Sequence, residues 1–325
     1  MQITSLARYA IKGLSADSLQ SVHLKEEMGT FPDDRRYALL KQSSSTEFDA
    51  QDPKWVHKEH FLCAFTAPQL MASYQSDYEI LLGKNDVDSS MGLPNDATTD
   101  DLEATQRILT LYQRPKETHP TPVLGPIHLE SSKGRDELAS FFSTKSKQSL
   151  TCVTNEQPSS TKHAHQFGNT RSGIKHAKDT RTIHIINAAT VRQFSNVIGV
   201  NLDPMRFRPN IIVDGLDPWK EFDLIGKTLT CSTSSISVGE EEEEEMGATG
   251  GDTRAAGTGV ELKIISTTVR CAGVGVDPLD PEQDELDIPK LLSQHFPQHG
   301  PYLGVYAVIQ TTGILHIGDS LMVLE

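Results

Sequence analysis

The chain has 325 residues, a formal net charge of −14 and an isoelectric point near 5.3, and 37% of its residues are hydrophobic. This length and composition allow a sizeable buried core and favour two domains or one large one. The acidic balance argues against general nucleic-acid or anionic-membrane binding, because both require a broad basic surface.

The N-terminus and the cysteines indicate the compartment. The opening stretch "MQITSLARYAIKGL" has neither the apolar core of a signal peptide nor the Arg-rich pattern of a presequence. No window approaches the ~20 apolar residues of a membrane span. The four cysteines lie far apart in sequence, which suits a reducing compartment. We therefore expect a cytoplasmic protein that neither inserts into a membrane nor binds nucleic acid.

The first part of the chain reads mainly as β-strands. The segments "QITSLARYAI", "LQSVHL", "RRYALL" and "YEILLG" alternate or cluster β-forming residues between Gly, Pro and Asp breakers. Residues 84–101 read as a surface loop, Leu102–Leu111 as a helix, and "RPKETHPTPVLGP" as a proline-marked linker. We predict a small β domain over residues 1–125, linker included.

The second part, residues 131–325, reads as a larger domain with a few helices. "GRDELASFFS" predicts a short helix, and the polar segment Thr154–Asp179 predicts a long loop. A strand, Thr182–Ile186, then feeds a helix that begins around Ala188, and such a corner exposes N–H groups that favour anions. The remaining pattern predicts strands in "LIGKTLTC" and "VELKIISTTVRCAGVGVDP", a helix in "DELDIPKLLSQHF", and two terminal strands. The predicted fold class is α+β, predominantly β, with barrel-like domains.

Two polar tracts carry no predicted site. Residues 232–260 are a low-complexity acidic insertion that cannot bury enough apolar surface to order itself. Its run Glu240–Glu245 reads as a solvated flank and not as a metal site. The pair His163 and His165 lies in a polar segment, and two histidines there do not make a metal site.

The segment "RFRPNIIVDG", Arg206–Gly215, reads as a strand with an unusual concentration of cations. Alternation would place Arg206, Arg208 and Asn210 on one face. Two guanidinium groups and an amide suit a phosphate or another multidentate anion. Pro209 cannot donate to a ladder, so this end of the strand should lie at a sheet edge or opening. The alternative is that both arginines pair with acids on the surface.

The segment "TTVRCAGVGVDP" places Cys271 directly after Arg270. A thiol beside an arginine is favoured as the thiolate and could act as a nucleophile or as a ligand for a soft metal. The alternative is a small buried hydrophobe. Near the N-terminus, Lys12 and Arg35 or Arg36 stand at predicted strand ends, where each could also be an ordinary surface cation.

Seven stretches in order carry a resemblance to a known family: "YAIKGLSADSL", "DRRYAL", "INAATV", "RFRPNIIVDG", "TVRC", "VDP" and "GVYAVIQTTGILHIGDSLMVL". Together they resemble the MOSC family, which is named for the C-terminal part of molybdenum cofactor sulfurases. The resemblance covers nearly the whole chain and implies a MOSC N-terminal β-barrel domain over 1–125 and a MOSC domain over 131–325. The layout is similar to that of the mitochondrial amidoxime-reducing component.

The resemblance implies a site for the molybdenum cofactor, a pterin dithiolene (molybdopterin) that ends in a phosphate. It assigns Cys271 to molybdenum as the ligand and catalytic residue. The cofactor-binding residues that it implies are Lys12, Arg35, Thr190, Arg208 and Asn210. Pyridoxal phosphate is associated with the family through a fusion partner of the sulfurases, and no lysine of this chain is assigned to it.

The activity implied by the resemblance is reduction of N-oxygenated substrates, such as N-hydroxylated amidines, by oxygen-atom transfer. Electrons would come from a partner, an electron-donor reductase or a cytochrome b5-type protein. The alternatives are a non-catalytic carrier of the cofactor, or of sulfur as a Cys271 persulfide, and a scaffold without cofactor. The chain departs from the related reductases at Gly13, where they have serine, and at Val274 and Gly275, where they have threonines.

Overall fold

The computed structural model describes residues 1–43, 48, 56–82, 105–114, 121–154, 167, 181–232 and 259–324. Its strands are β1 (Gln2–Arg8), β2 (Asp17–Leu19), β3 (Ser21–Leu24), β4 (Tyr37–Lys41), β5 (Phe61–Leu62), β6 (Tyr74–Leu81), β7 (Gln106–Gln113), β8 (Leu124–His128), β9 (Leu150–Thr154), β10 (Ile183–Asn187), β11 (Ile211–Asp214), β12 (Thr228–Ser232), β13 (Glu261–Val269), β14 (Tyr302–Thr311), β15 (Gly313–His316) and β16 (Ser320–Val323). The α-helices of the described residues are α1 (Pro68–Ala72), α2 (Ser132–Ser146), α3 (Ala188–Ile198) and α4 (Ile288–His295). The predicted α+β fold, predominantly β, is confirmed.

Seven strands close into a barrel in the order β1, β11, β10, β14, β13, β12, β16 and back to β1. Neighbouring strands are antiparallel except β10 and β11, which are parallel. The first strand of the chain completes the barrel, since Gln2 lies opposite both Asp214 of β11 and Ser320 of β16. Inward-facing apolar side chains fill the interior; they include Leu6, Ile185, Ile211, Leu262 and Val305.

A second core lies under two three-stranded sheets, β5-β4-β9 and β6-β7-β8. Helix α2 covers this core with Leu138 and Phe142, and the side chain of Ser131 caps the helix by accepting a hydrogen bond from the Gly134 amide at 3.0 Å. Because β9 pairs with β4 and β1 lies in the barrel, both regions take strands from each side of the predicted boundary. The division into 1–125 and 131–325 stays a prediction.

The predicted helix Leu102–Leu111 is wrong for its described residues, which belong to strand β7. This strand pairs along its whole length with β6, from Gln106 opposite Leu81 to Gln113 opposite Tyr74. Leu109 and Leu111 are both buried, as expected for alternate residues on one strand face. The end of the predicted linker is also a strand, since β8 pairs with β7.

Other predictions are confirmed, corrected or outside the described residues. The strand before Ala188 and the helix after it are confirmed as β10 and α3. The C-terminal region holds three strands, β14 to β16, where two were predicted. The predicted acidic insertion 232–260 is too long at both ends, since Ser232 ends β12 and Val260 is buried in the barrel core. Outside the described residues lie the rest of that insertion (233–258), the predicted loop 84–101, His163 and His165, and the segment 154–179 except Thr154 and Phe167. Among the described helices, none combines the length and apolar character that crossing a membrane requires.

Candidate functional site

The strand predicted for Arg206–Gly215 begins only at Ile211. Residues Pro204–Phe207 form a 3₁₀ helix, and Arg208 follows in the left-handed region with φ of 56°. The helix starts here because Pro204 fixes its first turn and the Asp203 carboxylate accepts a hydrogen bond from the Met205 amide at 2.7 Å. The predicted common face of Arg206, Arg208 and Asn210 is therefore wrong, since these residues do not share a strand.

Arg206 holds the segment that follows Cys271. Its Nη1 donates to the carbonyl oxygen of Gly275 at 2.7 Å, and its Nη2 donates to the Asp277 carboxylate at 2.7 Å. The guanidinium is buried and paired, so the acid-pairing alternative is correct for this arginine, although the pair is internal. Its function is to fix the loop after the cysteine.

Three basic side chains lie within electrostatic reach of one another, and we name Lys12, Arg35 and Arg208 the cationic cluster. The guanidinium carbon of Arg208 lies 4.1 Å from the centre of the Tyr9 ring, and that of Arg35 lies 5.6 Å from it. Lys12 lies within electrostatic reach of both guanidinium groups and donates to the carbonyl oxygen of Phe167 at 2.8 Å. The structure thus brings together three of the residues that the sequence singled out.

The charge of the cationic cluster is incompletely balanced. Within the described part of the chain, Asp34 is the single carboxylate paired with it, through Arg35. Burial lowers the pKa of Lys12 to about 8, and the neighbouring guanidinium groups of Arg35 and Arg208 act in the same direction. Burial likewise lowers the pKa of Arg208 to about 10. An anion placed here would relieve this repulsion.

Two polar atoms of the cationic cluster region have no hydrogen-bond partner among the described residues. They are the Tyr9 hydroxyl and Nη2 of Arg208, both fully buried. The other terminal nitrogen of Arg208 donates to the carbonyl oxygen of Leu14 at 2.7 Å. Buried donors without partners are rare in folded proteins, so these atoms are available to a ligand.

His184 connects Arg208 to Arg270. Its Nδ1 lies 3.2 Å from the Arg208 carbonyl oxygen, and its Nε2 contacts Nη2 of Arg270. Burial, with the Arg270 charge, holds the pKa of His184 well below its ordinary value, so the ring is neutral. Because a guanidinium can only donate, Nε2 accepts from Arg270 and the Nδ1 hydrogen is donated to Arg208. Sequence analysis missed His184; the only signal was a histidine inside the apolar strand "IHIIN".

Cys271 follows the end of β13 and precedes the 3₁₀ helix Ala272–Val274. Of the four cysteines, all of which lie in the described residues, it is the one that is not buried. It lies within electrostatic reach of Arg270 and Tyr306, and Tyr306 in turn lies within reach of Arg35. Tyr306 therefore lies within electrostatic reach of both Cys271 and one member of the cationic cluster, Arg35.

Asn210 and Thr190 make contacts within the protein. The Asn210 side chain accepts from the His184 amide at 3.1 Å and donates to the Ala7 carbonyl oxygen at 3.2 Å, which ties β10 to β1. Thr190 donates to the Glu221 carboxylate at 2.9 Å and accepts from the Trp219 amide at 2.8 Å. No described contact joins Thr190 to the cationic cluster. The Glu221 carboxylate accepts from the side chains of Asn187 and Thr190, and the Asn187 side chain caps the start of α3.

The three departures from the related reductases are explained by packing. Gly13 has φ of +98°, and a Cβ there would lie 2.7 Å from the Cα of Cys63, which leaves no room for serine. Val274 is buried in the core with Ile288. A Cβ on Gly275 would lie 2.8 Å from the carbonyl oxygen of Leu286.

A narrow cleft of about 40 Å³ opens beside Arg208. Its walls come from the turn after β1, from α1, and from the loop after Cys271; they include Gly13, Leu14, Met71, Gly273 and Val276. Arg208 thus lines a cleft whose walls come from both the N-terminal and the C-terminal parts of the chain. Within the described ranges, no group of three or more His, Cys, Asp or Glu residues could hold a metal ion.

Comparison with known proteins identifies the C-terminal part of the chain. The MOSC domain family matches residues 172–322. This part of the chain is similar to a MOSC domain. Arg208 and Cys271 lie inside the matched segment, whereas Tyr9, Lys12 and Arg35 precede it, so the candidate site draws on residues from within the segment and from before it.

Two solved structures are similar to this chain at low identity. YiiM from Geobacillus stearothermophilus is 15% identical with a TM-score of 0.29, over 44% of this chain and 54% of that chain. The YUAD protein from Bacillus subtilis is 11% identical with a TM-score of 0.38, over 98% of this chain and 93% of that chain. This chain thus spans about half the length of YiiM. No curated protein matches it.

Proposed function

We propose that this protein binds the molybdenum cofactor and works as an oxidoreductase that reduces N-oxygenated substrates by oxygen-atom transfer. The MOSC domain family is associated with molybdenum-cofactor binding. The observation that carries the proposal is the cationic cluster, in which two buried cations, Lys12 and Arg35, and the half-buried Arg208 face one paired carboxylate. An acidic protein has no structural need for such a concentration of unbalanced charge, whereas an anionic cofactor requires it.

The residues present fit the two ends of the cofactor. The free Nη2 of Arg208 and the Tyr9 hydroxyl are donors that a phosphate would use. Cys271 offers a partly exposed thiol without a described hydrogen bond, and a thiolate is a soft ligand suited to a metal already bound by sulfur. The absence of a larger ligand cluster in the described residues agrees with a metal held mainly by its own organic cofactor.

In this proposal each side chain has a distinct role. The cofactor, when bound, supplies the redox-active metal that exchanges an oxygen atom with the substrate and electrons with a donor. Lys12, Arg35 and Arg208 bind its anionic part, and Cys271 is the protein ligand of the metal. Asn210 and Thr190 act indirectly, since the first holds β10 to β1 and the second fixes the start of α3. The electron donor, a reductase or a cytochrome b5-type protein, belongs to the proposal.

The test is metal content after expression in a host that makes the cofactor. Elemental analysis should find near-stoichiometric molybdenum in the wild type and in a Cys152→Ala control, which changes a buried cysteine of the second core. Cys271→Ala should lose the metal or the reduction of an N-hydroxylated amidine by an artificial electron donor. If the wild type is folded but contains no molybdenum after expression in a host that makes the cofactor, the proposal is refuted.

A second candidate function is a non-catalytic carrier that holds the cofactor, or sulfur on Cys271 as a persulfide. The partial exposure of Cys271 is the observation that favours it, because a relay must reach an acceptor. Turnover separates the two functions. A carrier would contain molybdenum or persulfide sulfur and fail to reduce the N-hydroxylated substrate.

A further inference from the structure

The hydroxyl of Tyr9 is a buried polar group whose role is not explained by the fold. Tyr9 is 1% exposed, and its oxygen has no hydrogen-bond partner among the described residues. Other buried tyrosines of the described chain are partnered: Tyr78 donates to Asp33 at 2.9 Å, and Tyr37 lies 3.4 Å from Glu130. A phenylalanine would fill the same space without burying an unpaired hydroxyl, so the hydroxyl is free to bind a partner from outside the described residues.

The main chain on both sides of the ring fixes Tyr9 in place. Its amide donates to the Asp34 carboxylate at 2.8 Å, and its carbonyl oxygen accepts from the Arg35 amide at 2.7 Å. These two hydrogen bonds tie the residue to the turn that carries Arg35. The ring therefore has a defined position beside both guanidinium groups.

The surroundings define the chemistry of the missing partner. The guanidinium groups of Arg208 and Arg35 lie 4.1 Å and 5.6 Å from the ring centre, a geometry in which each cation is attracted to the ring face. Burial raises the pKa of Tyr9, so the hydroxyl keeps its proton at neutral pH and can donate it. A neutral donor among cations selects an acceptor that carries negative charge.

We infer that the Tyr9 hydroxyl donates a hydrogen bond to the anionic group bound by the cationic cluster, and that its ring positions Arg35 and Arg208 around that group. This inference rests on the proposed function for the identity of the anion, which is the phosphate of the cofactor. It adds a recognition residue that lies outside the segment matched by the MOSC domain family. The chemical class of the ligand group is a phosphate monoester or a similar multidentate oxyanion.

The test compares Tyr9→Phe with Tyr78→Phe, since each removes one buried phenol oxygen. The cofactor-free full-length chain is titrated with inorganic phosphate by calorimetry, and its melting temperature is measured without phosphate. Tyr9→Phe should melt at or above the wild-type temperature, because an unpaired hydroxyl is removed, and should bind phosphate about tenfold to a hundredfold more weakly. Tyr78→Phe should melt lower, because it loses the bond to Asp33, and should bind phosphate like the wild type.

Each other outcome has a defined meaning. Equal phosphate affinity for Tyr9→Phe and the wild type, or no phosphate binding by the wild type, would overturn the inference. A wild type that binds phosphate through Tyr9 yet never takes up molybdenum would overturn the proposed function and leave the inference standing. If Tyr9→Phe changes neither molybdenum uptake nor phosphate affinity, the inference about Tyr9 would be overturned and the proposed function would stand.

Discussion

The imidazole of His184 joins the main chain of Arg208 to the side chain of Arg270. It donates from Nδ1 to the Arg208 carbonyl oxygen and accepts at Nε2 from the Arg270 guanidinium. Arg208 belongs to the cationic cluster, and Arg270 precedes Cys271. One neutral ring therefore fixes the distance between the anion-binding part of the site and the cysteine. A substitution of His184 should therefore affect both the anion-binding part of the site and the position of Cys271.

Replacement of His184 by alanine should destabilise the chain by about 1–3 kcal/mol, because the Arg208 carbonyl oxygen loses its partner and the Arg270 guanidinium, which still donates to Phe207 and Leu303, loses one acceptor. His184→Gln should recover part of the loss, since its amide can both donate and accept. Urea unfolding measures the free energy, and His295→Ala, an exposed histidine in α4, is the control. A wild-type unfolding free energy in His184→Ala would refute the bridging role.

Lys12 should make the cofactor-free protein more stable as the pH rises above 8. The folded-state pKa of Lys12 is about 8 and the ordinary value is 10.5, so between these values the unfolded chain binds a proton that the folded chain does not. The free energy of unfolding then increases with pH, by about 1.6 kcal/mol between pH 8 and pH 9.5. Urea unfolding of the wild type and of Lys12→Met should show this rise in the wild type alone. Parallel pH profiles would contradict it.

Loss of the Lys12 proton should also weaken anion binding at alkaline pH. A Lys12 that has lost its proton no longer attracts phosphate, so phosphate affinity should fall as the pH rises through about 8. Calorimetry at pH 7 and pH 9 measures the change. Lys12→Met should bind weakly at both pH values with little difference between them, and a wild type with pH-independent affinity would exclude Lys12 from the anion contact.

The buried pair of Arg206 and Asp277 should behave as a unit. Arg206→Met or Asp277→Leu alone should cost about 3–5 kcal/mol, because each leaves one charge buried without its partner. The double variant should be less destabilised than the sum of the two single variants. A double-mutant cycle by urea unfolding measures this coupling, and strictly additive costs would show that the pair does not hold the loop after Cys271.

Restoring the serine of related reductases at position 13 should damage this protein. A Cβ at Gly13 would approach the Cα of Cys63 to 2.7 Å, with φ of +98°. Gly318 is the matched control, since its φ is +93° and nothing lies within 4 Å of the same Cβ. Gly318→Ser should cost about 1 kcal/mol for the backbone alone, and Gly13→Ser should cost clearly more. Equal melting temperatures would mean that the neighbouring segment can move away.

Local patterns predicted many of the strands and the helices α2, α3 and α4, but they missed β7, β8 and β9 because they do not show which segments pair. The spacing of the leucines in β7 fits either a helix or a strand, and the segment is a strand because it pairs with β6. The turn at Arg208 was missed for a similar reason, because alternation alone does not distinguish a short strand from a 3₁₀ helix. The role of His184 depends on Arg270, which is 86 residues away in sequence.

The cationic cluster was anticipated through the family resemblance, whereas its details required the structure. Lys12, Arg35 and Arg208 are far apart in the chain, and only the closed barrel brings their segments to one place. Tyr9 carried no signal of its own, because a tyrosine at a strand end is most simply read as core. Its unpaired hydroxyl becomes visible only when all of its neighbours are known.

Because β1 pairs with the last strand of the chain, the barrel can be completed only after that strand has been synthesised. The amino group of Met1 donates to the carbonyl oxygen of Leu321, a residue 320 positions later, at 3.2 Å. At translation rates of about 5–20 residues per second, the first strand waits roughly 15–60 seconds before its last neighbour is made. During this interval it presents an unpaired edge on a nascent chain. A ribosome stalled before β16 would therefore carry an incomplete barrel. The strand edges of β1 and β12 that pair with β16 would then be free to bind chaperones or other strands.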